Sequence, residues 1–271
     1  MSTSPHILVF DSGVGALSII AEIRRQLPGL SITYASDNAF FPYGTKTEDA
    51  LVARVDRVLH ALVAQAPPDI IVIACNTAST VALPRIREHF RMPIVGVVPA
   101  IKPAAQMSTS KVIGLLGTPG TVSRPYTLQL IRDFAADCEV ISVGSSELVA
   151  LAEHKLRGGK LDLDAVKGAL APLRAASQLD TVVLACTHFP LIKQELSEAL
   201  GKAVEWVDSG DAIARRVTHL LAENGLSSSG TPHYCSVFTL RTPEIEQLAR
   251  QLPVYLPGPV GFVEVGGDRE Q

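Results

Sequence analysis

Apolar residues along the chain fall into short runs, rich in Val and Ile, separated by longer stretches with helical spacing. Continuous apolar runs of this length are typical of parallel strands that helices cover on both faces. Their alternation with helical stretches predicts βαβ units and an α/β fold. The predicted strands are His6–Phe10, Ser31–Ser36, Asp69–Ala74, Ile94–Val97, Lys111–Leu116, Glu139–Val143, Thr181–Ala185 and Val204–Val207.

Two pairs of segments resemble each other at nearly the same separation. Residues 69–79 (DIIVIACNTAS) and 180–190 (DTVVLACTHFP) each combine a predicted strand, Ala-Cys and a Thr-containing helix start, with their cysteines 111 residues apart. Residues 6–16 (HILVFDSGVGA) and 111–121 (KVIGLLGTPGT) begin 105 residues apart. These offsets indicate an internal duplication that gives two similar lobes with a cysteine in equivalent places.

The predicted lobes are discontinuous along the chain. Breaks in the pattern near residues 96–103 and 208–211 indicate where the chain leaves the first lobe and returns to it. The segment after residue 211 either packs on the first lobe or forms an appendage. The predicted lobes are residues 1–97 with 208–271, and residues 98–207.

Composition limits the class of protein. Of the 271 residues, 47% are hydrophobic and 19% are charged, which is typical of a globular enzyme rather than a disordered chain. The net charge of -3 leaves no basic excess for nucleic acid or an anionic membrane. The apolar run Ile7–Phe10 is too short for a signal sequence or a membrane span, so we expect a cytoplasmic protein.

Polar residues follow four of the predicted strands. Ligands of parallel α/β sheets collect at the carboxyl ends of strands, where helix N-termini offer unpaired N–H groups. The hydroxyl and amide groups here can bind a carboxylate or an ammonium, which predicts an α-amino acid ligand. A phosphate ligand is disfavoured because no GxxxxGK[ST] motif is present. The four segments are residues 11–15 (DSGVG), 75–77 (CNT), 117–121 (GTPGT) and 186–188 (CTH).

Cys75 and Cys186 are the strongest chemical candidates. Either one alone has an ordinary explanation, because a free cysteine often merely packs in a core. Together, at equivalent strand ends before helix starts that favour a thiolate, they suit proton transfer. Racemisation needs two opposed acid/base groups of this kind. Cys138 and Cys235 have no such setting and are predicted to be structural thiols, as expected in a reducing cytoplasm.

Three further side chains have two interpretations each. Asp11 is either the N-cap of the following helix or a carboxylate that faces a ligand or thiol. His188 is either a surface or capping histidine, or a group that tunes the nearby Cys186. Glu153 is by default a solvated helix residue, and its spacing alone does not single it out.

The motifs resemble, in type and order, the successive signatures of the glutamate racemases within the aspartate/glutamate racemase superfamily. The resemblance extends from Ile7 to Trp206 and implies two pseudo-symmetric, flavodoxin-like parallel-sheet lobes with the active site between them. It also implies interconversion of L- and D-glutamate. The motifs are DSGVGALSI, FPYGTKT, ACNTAS, LLGTPGTVSRPY, ELVALAEHKL and ACTHFPLI.

The resemblance also implies roles for individual residues. Cys75 and Cys186 would be the two proton donors and acceptors, Asp11 and His188 their assisting groups, and Glu153 a further acid beside Cys186. The substrate-binding residues implied are Ser12, Pro42, Tyr43, Gly44, Asn76, Thr77, Thr118, Thr121 and Thr187.

The same resemblance implies that neither pyridoxal phosphate nor a metal takes part, and the strand-end motifs contain no lysine or metal-spaced cluster. It implies a cytoplasmic homodimer that supplies D-glutamate for peptidoglycan, with no nucleic acid or membrane partner. Three other functions stay open: racemisation of aspartate, hydrolysis of an amide by one cysteine nucleophile, and non-catalytic binding of an amino acid.

Overall fold

Strands and helices alternate along most of the chain in the computed structural model, which describes residues 4–266. The strands are β1 (His6–Asp11), β2 (Ser31–Ser36), β3 (Ile70–Ile73), β4 (Ile94–Gly96), β5 (Val112–Gly117), β6 (Glu139–Gly144), β7 (Thr181–Leu184), β8 (Glu205–Val207), β9 (Tyr234–Phe238) and β10 (Val260–Phe262). The helices are α1 (Ala16–Gln26), α2 (Glu48–Gln65), α3 (Asn76–His89), α4 (Ile101–Met107), α5 (Pro119–Ser123), α6 (Pro125–Phe134), α7 (Glu147–Leu156), α8 (Leu163–Ala169), α9 (Ala171–Ala175), α10 (Lys193–Leu200), α11 (Gly210–Glu223) and α12 (Pro243–Tyr255).

The chain divides into two compact units, Met1–Val97 with Gly210–Gln271, and Val98–Ser209. Each unit is built on its own parallel sheet. The sheet of the first unit has the order β10-β9-β2-β1-β3-β4, and that of the second has the order β6-β5-β7-β8. The predicted class, an α/β fold of two parallel sheets, is confirmed. Both sheets contain the same flavodoxin-like arrangement, in which the first strand lies between the second and third.

All eight predicted strands are present, each within one residue of its predicted ends. The apolar pattern predicts these strands because β2, β3, β5 and β7 are buried along their whole length, as expected for strands covered on both faces. In such strands nearly every position is apolar, so the run itself marks the element.

The segment after residue 211 adds two strands that the sequence pattern did not reveal. Helix α11 packs on α1, and β9 then pairs in parallel with β2, with β10 at the edge. Both late strands are only partly buried, so their apolar pattern is weak. Within the described residues, no helix combines the length and apolar character that crossing a bilayer requires.

Candidate active site

In each sheet, the direction in which successive strands are added reverses at one point, between the first and third strands of that sheet. These points lie between β1 and β3 in the first unit and between β5 and β7 in the second. In open parallel sheets, the carboxyl ends of strands at such a point form the usual ligand-binding crevice. Asp11 ends β1 and Cys75 follows β3, while Thr118 follows β5 and Cys186 follows β7. The candidate residues therefore occupy corresponding places in the two units.

Equivalent backbone hydrogen bonds hold these strand ends together. In the first unit the Ala74 amide donates to the Phe10 carbonyl at 2.7 Å, and in the second the Ala185 amide donates to the Leu116 carbonyl, also at 2.7 Å. Each bond involves the residue directly before the cysteine. The candidate residues of the first unit form a first cluster, Asp11, Ser12, Cys75, Asn76 and Thr77. Those of the second unit form a second cluster, Thr118, Thr121, Glu153, Cys186, Thr187 and His188.

Cys75 is buried and stands directly before α3, in the extended conformation of an N-cap residue. The N-terminus of a helix carries partial positive charge, which favours the thiolate form of a cysteine at this position. Cys75 also belongs to the apolar cluster that contains Phe10, Tyr43 and Ala78. The thiol is thus set between a helix terminus and an apolar wall.

Asp11 is fully buried, and one of its carboxylate oxygens accepts a hydrogen bond from the Ser12 amide at 2.6 Å. Helix α1 begins at Ala16 with Gly15 as its N-cap, so Asp11 is not the cap of that helix. The loop between them is held by the Tyr34 hydroxyl, which donates to the Gly13 carbonyl at 2.8 Å. The interpretation as an N-cap is therefore wrong, and a carboxylate that faces a ligand or thiol stays a prediction.

Asn76 and Thr77 form the buried first turn of α3. The Asn76 amide oxygen has no hydrogen-bond partner among the described residues. Leaving a buried acceptor unpaired costs free energy, on the order of 1–3 kcal/mol, unless a ligand or water satisfies it. This oxygen is therefore placed to accept a hydrogen bond from a bound ammonium group.

Beneath the predicted FPYGT segment lies a buried ion pair that the sequence analysis missed. Arg54 of α2 donates to both oxygens of Asp37, from Nε at 2.9 Å and from Nη2 at 2.7 Å. The two side chains are 2% and 0% exposed. The Thr239 hydroxyl adds a hydrogen bond to Asp37 at 2.7 Å. The one feature of the sequence that could have indicated this ion pair is an arginine among the apolar positions of α2.

Tyr43 connects the FPYGT segment to this ion pair. Its hydroxyl donates to Asp37 at 2.8 Å. Burial, followed by the negative charge of Asp37 and the hydrogen bond to it, raises the pKa of Tyr43 well above 10. Tyr43 thus stays neutral with its hydroxyl engaged. What the segment can offer a ligand is its backbone and the half-buried Pro42 and Gly44.

In the second unit, Cys186 begins a chain of ionisable side chains. Its sulfur lies 3.8 Å from His188 Nδ1, and His188 Nε2 lies 2.9 Å from Glu153 Oε1. Cys186, His188 and Glu153 are all buried, and the other Glu153 oxygen lies 3.7 Å from Arg157. Glu153 is therefore a partner of the histidine and not a solvated helix residue, and His188 is neither exposed nor a simple cap.

The charge state of His188 follows from these contacts. Burial lowers the pKa of the imidazole, but its hydrogen bonds and charge interactions with Cys186 and Glu153 outweigh that effect. The pKa of His188 is thereby raised well above 6.5. The imidazole is therefore positively charged at neutral pH, next to the Cys186 sulfur.

Threonine hydroxyls complete the second cluster. The Thr118 hydroxyl oxygen accepts from the Thr121 amide at 3.1 Å as the N-cap of α5, and the two hydroxyls lie 2.8 Å apart. Thr121 and Thr187 are buried, while Thr118 is half-buried. These hydroxyls lie at the strand ends that flank Cys186, where they can hydrogen-bond a carboxylate.

The remaining cysteines lie apart from both clusters. Cys235 contacts the Thr33 hydroxyl at 3.2 Å, and Cys138 contacts Asp137 at 3.6 Å. All four cysteines are free thiols. The geometry thus distinguishes two buried thiols at sheet switch points from two half-buried thiols elsewhere.

Comparison with known proteins gives a consistent result. The family model for Asp/Glu/hydantoin racemases matches residues 7–217. A glutamate racemase of Escherichia fergusonii is 50% identical over 252 residues, which are 93% of this chain and 88% of that protein. One of Salmonella typhimurium is also 50% identical over 252 residues, 93% of this chain and 89% of that protein.

Solved structures are similar as well. The crystal structure of Escherichia coli glutamate racemase, in complex with L-glutamate and the activator UDP-MurNAc-Ala, matches with a TM-score of 0.92 and 47% identity, over 98% of this chain and 100% of that one. The structure of Francisella tularensis glutamate racemase in complex with D-glutamate matches with a TM-score of 0.80 and 25% identity, over 97% and 98% of the two chains.

Proposed function

The chain belongs to the Asp/Glu/hydantoin racemase family, and from that premise we propose that it interconverts L- and D-glutamate with Cys75 and Cys186 as the two acid/base groups. The observation that carries the proposal is a buried thiol at the switch point of each sheet, in a chain 50% identical to glutamate racemases. The reaction is an isomerisation.

The proposed chemistry consists of two proton transfers. A thiolate on one face takes the α-proton, so that the Cα–H bond breaks, an S–H bond forms and the electron pair stays on the substrate as a carbanion. The thiol on the opposite face then gives its proton to the same carbon and becomes a thiolate. No electron is gained or lost, and the step needs no cofactor. The mechanism requires both sulfurs to reach the α-carbon of one substrate molecule.

On the Cys186 side, the contacts with His188 and Glu153 support a thiolate. A positively charged imidazole beside the sulfur stabilises the thiolate, and the Glu153 carboxylate stabilises the imidazolium in turn. We propose that His188 assists Cys186 and that Glu153 acts through His188 as a positioning residue. A carboxylate on the far nitrogen fixes the orientation of the ring.

On the Cys75 side, the helix N-terminus and the buried Asp11 support the same chemistry by other means. We propose that Asp11 assists Cys75, since the two follow neighbouring, hydrogen-bonded strand ends. The unpaired Asn76 amide oxygen would accept a hydrogen bond from the substrate ammonium. The Cys75 side would therefore use a helix terminus, a carboxylate and an amide, and the Cys186 side a histidine with its carboxylate.

The remaining strand-end groups form the proposed binding set for the amino acid. Backbone amides at helix N-termini and small hydroxyls suit its two carboxylates. Because the Tyr43 hydroxyl already donates a hydrogen bond to Asp37, the contacts proposed for the FPYGT segment use its backbone and the half-buried Pro42 and Gly44. The residues proposed to bind substrate are Ser12, Pro42, Tyr43, Gly44, Asn76, Thr77, Thr118, Thr121 and Thr187.

Of the alternative functions, hydrolysis by one cysteine nucleophile makes the sharpest contrast. A hydrolase of that kind leaves the second switch-point thiol without a role, whereas racemisation uses both. Aspartate racemisation would use the same two thiols. The identity to relatives named glutamate racemase is what favours glutamate.

We further propose that the D-glutamate formed supplies peptidoglycan synthesis in the cytoplasm and that the chain acts as a homodimer. These proposals rest on membership of the family. D-Glutamate would be consumed by a ligase that joins its amino group to a cell-wall peptide, because a free D-amino acid enters such a peptide only through an activated acyl group.

The test is ¹H-NMR of L-glutamate and, separately, of D-glutamate in D₂O with the wild type, Cys75→Ser and Cys186→Ser. We expect the wild type to remove the α-proton signal of both enantiomers while the optical rotation decays to zero. Each serine variant should abolish racemisation. Aspartate is the matched alternative substrate.

Three outcomes would contradict the proposal at different levels. Exchange with aspartate but not glutamate would overturn the substrate and leave the mechanism. Racemisation that survives in either variant would overturn the two-base mechanism. No exchange with either amino acid would overturn the activity.

A further inference from the structure

A cluster of three metal-ligating side chains lies on α2 and α3 of the first unit, outside both active-site clusters. Asp56 and His60 are one turn apart on α2, and His89 is the last residue of α3. The two helices pack against each other, which brings His89 to the other two. Within the described residues, this is the only group of three or more such side chains placed to hold one metal ion.

The distances within the cluster suit a metal ion. Asp56 Oδ1 lies 2.6 Å from His89 Nδ1 and 3.6 Å from His60 Nδ1. One potential ligand atom from each residue lies within 4.8 Å of the others. In a tetrahedral zinc site with bonds of about 2.0–2.1 Å, neighbouring ligand atoms are about 3.4 Å apart. A shift of less than about 1 Å along each of the two measured separations would reach that value.

The donor set defines the class of ion. Two imidazoles and one carboxylate are typical ligands of zinc and of neighbouring divalent transition metals, whereas calcium and magnesium prefer oxygen donors. The side chains of Asp56, His60 and His89 are 24%, 54% and 28% exposed. An ion can therefore reach the cluster from solution and keep water in its remaining coordination positions.

We propose that Asp56, His60 and His89 form a binding site for a divalent transition-metal ion that links α2 to the C-terminal end of α3. Cys75 lies at the opposite end of α3, about 20 Å away at 1.5 Å per residue. The ion would therefore stabilise the first unit without taking part in the proton transfers. The proposed proton transfers still use no metal ion.

A simpler explanation of the same contacts is hydrogen bonding alone. His89 can bond the Asp56 carboxylate, and His60 Nδ1 lies 2.8 Å from the Asp56 backbone carbonyl. These bonds need only one nitrogen of each ring. The experiment must therefore measure metal uptake directly and not infer it from stability alone.

Isothermal titration calorimetry of the whole chain with zinc chloride at pH 7.5 tests the proposal. Thiols also bind zinc, so the measured quantity is the difference in bound zinc equivalents between the wild type and the double variant His60→Ala/His89→Ala. His219→Ala is the matched control, because His219 is an exposed histidine paired with Glu223 at 3.1 Å on a single helix. Circular dichroism establishes that each variant is folded.

We expect the wild type and His219→Ala to bind one more equivalent of zinc than the double variant, and Asp56→Asn to weaken that equivalent at least about tenfold. Zinc should also raise the melting temperature of the wild type more than that of the double variant. Equal stoichiometry in the wild type and the double variant, with both folded, would overturn the proposal.

Discussion

The two candidate clusters each hold a cysteine at the same place of similar sheets, yet the groups around the two thiols differ. Cys186 stands beside His188 and Glu153, an ionisable chain within its own unit. Cys75 stands at the start of a 14-residue helix, against an apolar wall that a buried ion pair supports through Tyr43. The comparison teaches that two similar sheets can keep a thiol at the same position while the groups around it differ.

The largest expected effect tests whether the two thiols are equivalent despite these surroundings. Cys75→Ser and Cys186→Ser should each lower kcat for racemisation by about 10³-fold or more, because a serine hydroxyl is a far weaker acid and base than a thiol. The measurement is circular dichroism of the two glutamate enantiomers over time. Cys138→Ser and Cys235→Ser are the matched controls and should retain kcat within about twofold. A large loss at only one of the two buried positions would show that the clusters are not functionally paired.

The second effect isolates the Cys75 side through its supporting ion pair. Arg54→Met leaves Asp37 buried without its cation, which should lower the free energy of unfolding by about 3–5 kcal/mol. The double variant Arg54→Met/Asp37→Leu removes both charges and should lose less than the single variant. Urea unfolding followed by circular dichroism checks both.

In the same Arg54→Met variant we expect KM for glutamate to rise, because Tyr43 and the FPYGT segment lose their support. If Arg54→Met lowered the free energy of unfolding by less than about 1 kcal/mol, the usual scale of an exposed salt bridge, the ion pair of Arg54 and Asp37 would not support this side of the first unit.

The third effect isolates the Cys186 side. Glu153→Gln should lower kcat/KM by about 10- to 100-fold, since the histidine loses the carboxylate that orients and charges it. Enantiomers have equal free energy in water, so kcat/KM must fall equally in both directions. The asymmetry between the clusters should instead emerge in the deuterium isotope effect.

The isotope measurement uses α-deuterated L- and D-glutamate separately. With Glu153→Gln, the isotope effect on kcat/KM should rise for the enantiomer whose α-proton Cys186 removes, relative to the other. Equal isotope effects for both enantiomers would contradict a role confined to one cluster.

The sequence predicted eight of the ten described strands, and the positions of Cys75 and Cys186 near strand ends, because each is a local feature. Fully buried parallel strands are continuous apolar runs, and Cys75 and Cys186 each lie two residues after the end of one of them. The ion pair of Asp37 and Arg54 was missed because it joins a loop to a helix through packing. Glu153 was found only by resemblance, since its contact with His188 spans 35 residues of the chain. Long-range polar contacts leave little trace in periodicity.

The smallest expected effect concerns pH and again separates the clusters, because only the second cluster, as defined above, contains a histidine. The pKa of His188 is raised above 6.5 on folding, so the native state keeps a proton that the unfolded chain loses. Its stabilisation is complete below pH 6.5 and declines as pH rises through the native pKa. Relative to His188→Asn, the wild type should thus lose up to about 1.4 kcal/mol of its free energy of unfolding per pH unit as the pH rises from 6.5 toward the native pKa. Urea unfolding of both proteins between pH 5.5 and 8 measures this difference, with His219→Ala as the exposed-histidine control. A constant difference across that range would mean that folding leaves the pKa of His188 unchanged, and would overturn the charged imidazole as the feature that separates the surroundings of Cys186 from those of Cys75.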